Sequence, residues 1–214
     1  MSVIVPCITV QTADEFKSYV EKIQPFASRV QIDISDGEFA PRSLFAADQL
    51  WWPKNWTVDI HAMVARPIEY VDILISLKPH LIIFHAETGV NLIPVFEKIR
   101  AAGIKTGLAL LKKTVPASFI DLIKRVDHIL VFSGDLGNYG GVASMMQLEK
   151  VRQIRSIKSD IEIGWDGGVR VENAFSLSHG GVDVLNVGGA IANSENPSQI
   201  YYSLNQEIKK RGVL

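Results

Sequence analysis

Short β-branched, apolar runs recur along this chain at intervals of roughly 22 to 34 residues, the pace of alternating strands and helices. They read "VIVPCITV" (3–10), "VQIDIS" (30–35), "TVDIHAM" (57–63), "HLIIFHA" (80–86), "KTGLALL" (105–111), "DHILVF" (127–132), "IEIGWDG" (161–167) and "VDVLNVG" (182–188). Near-continuous apolar runs of this length suit parallel strands covered on both faces. Most of the intervening segments switch to helical spacing. Thr12 and Glu15 form a capping-box pattern ahead of Phe16, Val20 and Ile23. Pro67 suits a first helical turn, with Ile68, Val71 and Ile75 as its stripe. Leu148, Val151, Ile154 and Ile157 share a face, and Asn196-Pro197 opens a last helix that buries Ile200, Leu204 and Ile208. Eight strand–helix units predict an α/β fold, a (β/α)8 TIM barrel, as one domain over residues 1–214. A doubly wound open sheet is the structural alternative. No linker or low-complexity tract divides the chain. "WWPKNW" (51–56) gathers Trp51, Trp52 and Trp56 before the third strand, as loop packing or as a subunit contact.

Composition narrows the setting. Apolar residues make up 47% and charged residues 21%, with a formal net charge of −1, which argues against nucleic-acid or membrane binding driven by bulk charge. Cys7 is the single cysteine, so no internal disulfide forms and a reducing, cytoplasmic location is expected. "MSVIVPCITV" reads as a strand and not a signal peptide, and no apolar run is long enough to span a bilayer.

Candidate chemistry collects where barrel strands end. Those ends carry Cys7, Asp33, His61, His85, Ser133 and Asp166. An acid within an apolar strand is costly to bury unless paired or functional. Asp36, followed by Gly37, reads as a turn residue. Asp33 and Asp166 are different: on strands 2 and 7 they are expected on opposite sides of the barrel, facing each other across its mouth. Two acids flanking one carbon can take a proton from one face and return it to the other, the chemistry of an epimerase. Glycines follow three consecutive strands, in "GNYGG" (137–141), at Gly167-Gly168 and in "GGA" (188–190). Backbone N–H groups free of side chains approach anions closely, and the last loops of a barrel are a frequent phosphate site.

The segments "QIDISDGEFAP" (31–41), "DIHAMVARPIEY" (59–70), "HAE" (85–87), "GLAL" (107–110), "YGG" (139–141), "DGGV" (166–169) and "DVLNVGGAI" (183–191), in this order, resemble the ribulose-phosphate 3-epimerase family. The resemblance implies a C3 epimerase of ketose phosphates, interconverting ribulose 5-phosphate and xylulose 5-phosphate, with Asp33 and Asp166 as the acid/base pair. It places Asp33, His61 and Asp166 on three of four metal-ligand positions for Zn, Fe, Mn or Co. It places Cys7, Met63, Gly140, Gly141, Gly167, Gly168, Gly188 and Gly189 about the sugar phosphate, and it implies a homo-oligomer. The chain departs from the family at several points. Gln31 stands where the family has its fourth ligand, a histidine, and an amide oxygen is a poorer partner for zinc or iron. Ser35 and Phe132 replace family methionines, Cys7 replaces a serine, Leu111-Lys112 replaces Asn-Pro, and the sixth loop is one residue longer. The alternatives are a ketohexose-phosphate 3-epimerase or related sugar-phosphate reaction, and a non-catalytic sugar-phosphate-binding barrel that has lost its metal. A metal-independent variant would use His61 as a hydrogen-bond donor to the ene-diolate.

Overall fold

The computed structural model describes residues 2–210. Its strands are β1 (Val3–Ile8), β2 (Arg29–Ser35), β3 (Thr57–Met63), β4 (Leu81–His85), β5 (Lys105–Leu110), β6 (His128–Phe132), β7 (Glu162–Asp166) and β8 (Val184–Val187). Each pairs in parallel with its sequence neighbours, and β1 also pairs with β8, which closes the barrel and excludes the open sheet. The helices are α1 (Ala13–Ile23), α2 (Pro67–Ser76), α3 (Ile93–Ala101), α4 (Ile120–Arg125), α5 (Leu148–Ile157), α6 (Val171–His179), α7 (Gly189–Ala192) and α8 (Pro197–Glu207).

Local signals hold well. Thr12 and Glu15 make the reciprocal capping box of α1, Pro67 opens α2, and the Asn196 side chain caps α8 ahead of Pro197. Two expectations change. The connection from β2 to β3 contains no α-helix, only a 3₁₀ turn at Ala47–Gln49, because the Asp36-Gly37 turn, Pro41 and Pro53 interrupt any helical period. In α2 the buried stripe is Pro67, Val71 and Leu74, while Ile68 lies 59% exposed, since one residue along a helix turns by about 100°.

The parity of each strand explains where polarity goes. Outward residues pack under the helices and are apolar, as with Val30, Ile32 and Ile34 on β2 or Ile163 and Trp165 on β7. Inward residues alternate with them, and on β2 they read Arg29, Gln31, Asp33; on β7 they read Glu162, Gly164, Asp166. The interior is therefore layered. At the N-terminal end of the strands, Arg29 reaches Asp59 at 2.7 Å and grips both oxygens of Glu162 at 2.9 Å, with His128 Nδ1 2.8 Å from the same carboxylate. Gly164 makes room for this plug, since a Cβ there would sit 2.6 Å from His128 Nε2. Leu81, Ile83, Ala109 and Leu130 form a small apolar cluster inside the barrel. Asp33, His61, His85 and Asp166 lie above, at the C-terminal end.

The tryptophan-rich segment divides: Trp56 is buried, Trp52 is half-buried, and Trp51 is 48% exposed with its ring edge-on to Phe16. Among the described residues, no helix is long and apolar enough to cross a membrane.

Candidate active site

A cavity of about 530 Å³ opens at the C-terminal end of the barrel. Cys7, Asp33, Met63, Gly140, Gly141, Asp166, Gly167, Gly168, Gly188 and Gly189 all line it. His61 and Gln31 do not; they lie fully buried beneath its floor.

The floor is one hydrogen-bonded constellation. Asp33 accepts from the Thr9 hydroxyl at 2.6 Å and from the Gln31 amide at 2.9 Å. His61 Nδ1 lies 3.1 Å from Asp33 Oδ1 and 3.8 Å from Asp166 Oδ2. The same Gln31 nitrogen donates to Asp166 at 2.6 Å, so one amide spans both carboxylates. The reverse amide orientation would set an oxygen lone pair against two acids, so the donor faces them. Asp33 and Asp166 are not diametrically opposed as the strand count suggested. Around the closed barrel β2 and β7 are separated by β1 and β8 alone, and the carboxylates converge above Gln31. Burial, and then the neighbouring Asp33 carboxylate, push Asp166 up to about 7.

Asp33, His61 and Asp166 each offer an atom within 4.8 Å of the others. One imidazole and two carboxylates are a chemically suitable set for a divalent cation with open coordination positions. The fourth position fits less well: Gln31 turns its N–H groups inward, and its oxygen is buried without a partner.

The remaining candidates separate by position. Cys7 is buried beside the cavity, and burial followed by the Asp166 and Asp33 charges raises its thiol pKa well above its ordinary value, so it is a neutral thiol. Asp36 accepts from the backbone N–H groups of Glu38 and Phe39 and from Ala65, which is the expected turn role extended to the β3 loop. Ser133 is a loop staple: its hydroxyl donates to the Val142 carbonyl and accepts from Ser144 N–H and the Gln147 amide. His85 is fully buried, with its Nε2 2.8 Å from His61 Nε2. Of the replaced family positions, Phe132 lines the cavity, whereas Ser35 accepts from Gly37 N–H inside the Asp-Gly turn.

Glycine is required where loops cross. Gly167 has φ +107° and a Cβ there would sit 2.0 Å from Gly134 N; Gly168 has φ +71° and its Cβ would meet Ala143 N at 2.1 Å. No L side chain fits either place. Residues that the sequence did not single out also shape the site. Tyr139 accepts from Thr9 N–H at 2.8 Å and donates to the Cys7 carbonyl at 3.4 Å. Thr9, Arg170 and Asn193 line the cavity. Thr9 follows the last strand residue of β1 by one position, a signal that the strand-end rule could have used.

Known proteins place this arrangement. The chain is similar to the ribulose-phosphate 3-epimerase of Mycobacterium bovis, 26% identical over 189 residues that cover 85% of this chain and 82% of that protein. It is 28% identical over 171 residues to the Treponema pallidum enzyme of the same name, covering 77% and 78%. Among solved structures, 3-hexulose-6-phosphate synthase from Salmonella typhimurium superposes with a TM-score of 0.74 at 14% identity, covering 97% and 98% of the two chains. KGPDC from Streptococcus mutans gives 0.71 at 11% identity, covering 98% of each chain; likenesses this remote show the barrel alone. The model of the ribulose-phosphate 3 epimerase family matches residues 3–192, nearly the whole barrel, and the chain belongs to that family.

Proposed function

We propose that this protein is a C3 epimerase of a ketose phosphate, acting on ribulose 5-phosphate to give xylulose 5-phosphate. Membership of an epimerase family makes it an isomerase of carbohydrate type. The convergence of Asp33 and Asp166 at the floor of a glycine-lined cavity carries the finer reading. One carboxylate removes the C3 proton, and the electron pair of that C–H bond moves toward the C2 carbonyl to form an ene-diolate. The other carboxyl delivers a proton to the opposite face of C3. Asp166, with a pKa of about 7, is well matched to hold a proton near neutrality. Asp33, which accepts from Thr9 and Gln31 and lies 3.1 Å from His61 Nδ1, is held in place as its counterpart. Met63 and Phe132 wall the cavity near these acids and keep water from the reacting carbon. The backbone N–H groups about Gly141, Gly167, Gly168, Gly188 and Gly189 would take the phosphate.

Asp33, His61 and Asp166 would hold a divalent cation, whose charge lowers the energy of the developing ene-diolate oxygens. Phe132 on the cavity wall motivates a second reading, a ketohexose phosphate in place of the pentose. Incubation with ribulose 5-phosphate in D2O, with chelator or with Zn2+, Mn2+ or Fe2+, follows C3 proton exchange by NMR. Exchange by the wild type, abolished in Asp33→Asn and in Asp166→Asn, is the expected result. Absence of exchange under every metal refutes the pentose reading. Ketohexose phosphates in the same format test the second.

A further inference from the structure

The loop that follows β6 does not stay beside its own strand. It passes over the ends of β7 and β8 and fastens to β1. Past β7, Gly168 N–H donates to the Gly140 carbonyl at 3.1 Å. Past β8, the Tyr139 ring lies on Gly188, where a Cβ would sit 2.8 Å from Tyr139 Cδ1. The Tyr139 hydroxyl then accepts from Thr9 N–H at 2.8 Å, across 130 positions of sequence. Thr9 lies beyond the last paired residues of β1, Pro6 with Val187 on one side and Ile8 with Ile32 on the other. No strand carbonyl serves its N–H, and Tyr139 does. The Thr9 hydroxyl in turn donates to Asp33 Oδ2 at 2.6 Å, while the Gln31 amide donates to Oδ1 at 2.9 Å.

We infer that Tyr139 is a positioning residue: it fastens the glycine loop that would take the phosphate to Thr9, and through Thr9 it orients the Asp33 carboxylate. This role deepens the epimerase reading and rests on it for the ligand and the reaction, while the contacts stand without it. A backbone N–H only donates, so the tyrosine oxygen is the acceptor at the first link. At the second, the threonine hydroxyl donates to the carboxylate. One hydrogen bond on Oδ1 leaves a carboxylate free to turn about that contact, and a second on Oδ2 fixes its plane. Tyr139 is joined directly to Gly140 along the chain, so two hydrogen bonds and one residue connect the loop to the acid. A sugar held by its phosphate at Gly140 and Gly141 then meets an acid at a set reach from that phosphate. Misplacement by about 1 Å at a reacting centre can cost roughly 100-fold in rate, so the link bears on turnover.

Tyr139→Phe is the diagnostic substitution because it keeps the ring over Gly188 and removes only the acceptor. Three-bond couplings to the Thr9 methyl carbon, measured by NMR on threonine-labelled protein, read the Thr9 rotamer without any need for activity. Wild type is expected to hold one rotamer, and Tyr139→Phe to average over several. Exchange of the Thr9 amide hydrogen is expected to quicken by about tenfold or more in the variant. In turnover of ribulose 5-phosphate with Zn2+, Tyr139→Phe and Thr9→Val are each expected to lower kcat about tenfold while KM changes by less than about threefold. Thr9→Ser, which keeps the hydroxyl, is expected to restore kcat. Averaged Thr9 rotamers in the wild type overturn the inference, and that measurement needs no variant to fold. Wild-type kcat in folded Tyr139→Phe or Thr9→Val, or an unchanged Thr9 amide exchange in Tyr139→Phe, overturns it as well. A single Thr9 rotamer that Tyr139→Phe releases, in a protein that exchanges no C3 proton, refutes the epimerase reading and leaves the link from Tyr139 to Thr9 standing.

Discussion

Gln31→Leu tests whether one amide holds the two acids together. The substitution keeps side-chain volume and removes the donors that reach Asp33 at 2.9 Å and Asp166 at 2.6 Å. Hydrogen bonds to charged groups contribute about 1.5–3 kcal/mol each. The leucine also removes a buried, unpartnered amide oxygen, relieving about 1–3 kcal/mol. At the midpoints of these ranges the net loss is about 2.5 kcal/mol, or about 5–10 °C in Tm for a chain of this size. pH sharpens the test. Asp166 sits at about 7 against an ordinary 3.8, so the folded state keeps a proton that the unfolded chain releases. Its stabilising contribution is complete below pH 4 and is lost as pH climbs to about 7. Without the Gln31 donors Asp166 rises further, so the variant continues to lose stability between pH 7 and 8 where the wild type levels off. Urea unfolding in chelator at pH 6 and pH 8, with equal m-values, reads the difference. A variant as stable as the wild type at pH 8, with the same pH dependence, refutes the bridging role.

Three further outcomes follow from the same geometry. At the other end of the barrel, burial alone would raise Glu162, but hydrogen bonds from Arg29 and His128 hold it well below its ordinary 4.5. The stability this gives is present above pH 4.5 and lost on acidification. Glu162→Gln is therefore expected to cost about 2–4 kcal/mol at pH 6 and to flatten the acid limb of a pH–urea series; an unchanged limb excludes the plug as its source. Gly167→Ala forces a Cβ against Gly134 at positive φ, and is expected to weaken sugar-phosphate binding by tenfold or more in calorimetry. Native affinity in that variant would show that the β6 and β7 loops need not cross there. Cys7, neutral and buried, is expected to resist iodoacetamide at pH 8 until urea unfolds the chain, and rapid native alkylation would contradict its placement.

Much of this molecule is legible along the chain because the barrel is a sum of local decisions. Strand runs, the Thr12–Glu15 box, Pro67 and Asn196-Pro197 act within a few residues, and observed strand ends fall within two residues of the expected ones. The glycines and two acids were legible too, since strand ends in a closed barrel must converge. The form of the β2–β3 connection is not legible, because the strand–helix repeat predicts a helix there that its own residues do not support. The meeting of Asp33 and Asp166, with Gln31 spanning them, depends on a barrel that brings β2 and β7 together around its short side. The burial that lifts Asp166 has the same origin, and so does the meeting of His85 with His61. Residue types and spacings set which groups stand at the strand ends. Closure of the sheet decided which of them touch, because hydrogen bonding and desolvation act over a few ångströms between positions up to 135 residues apart.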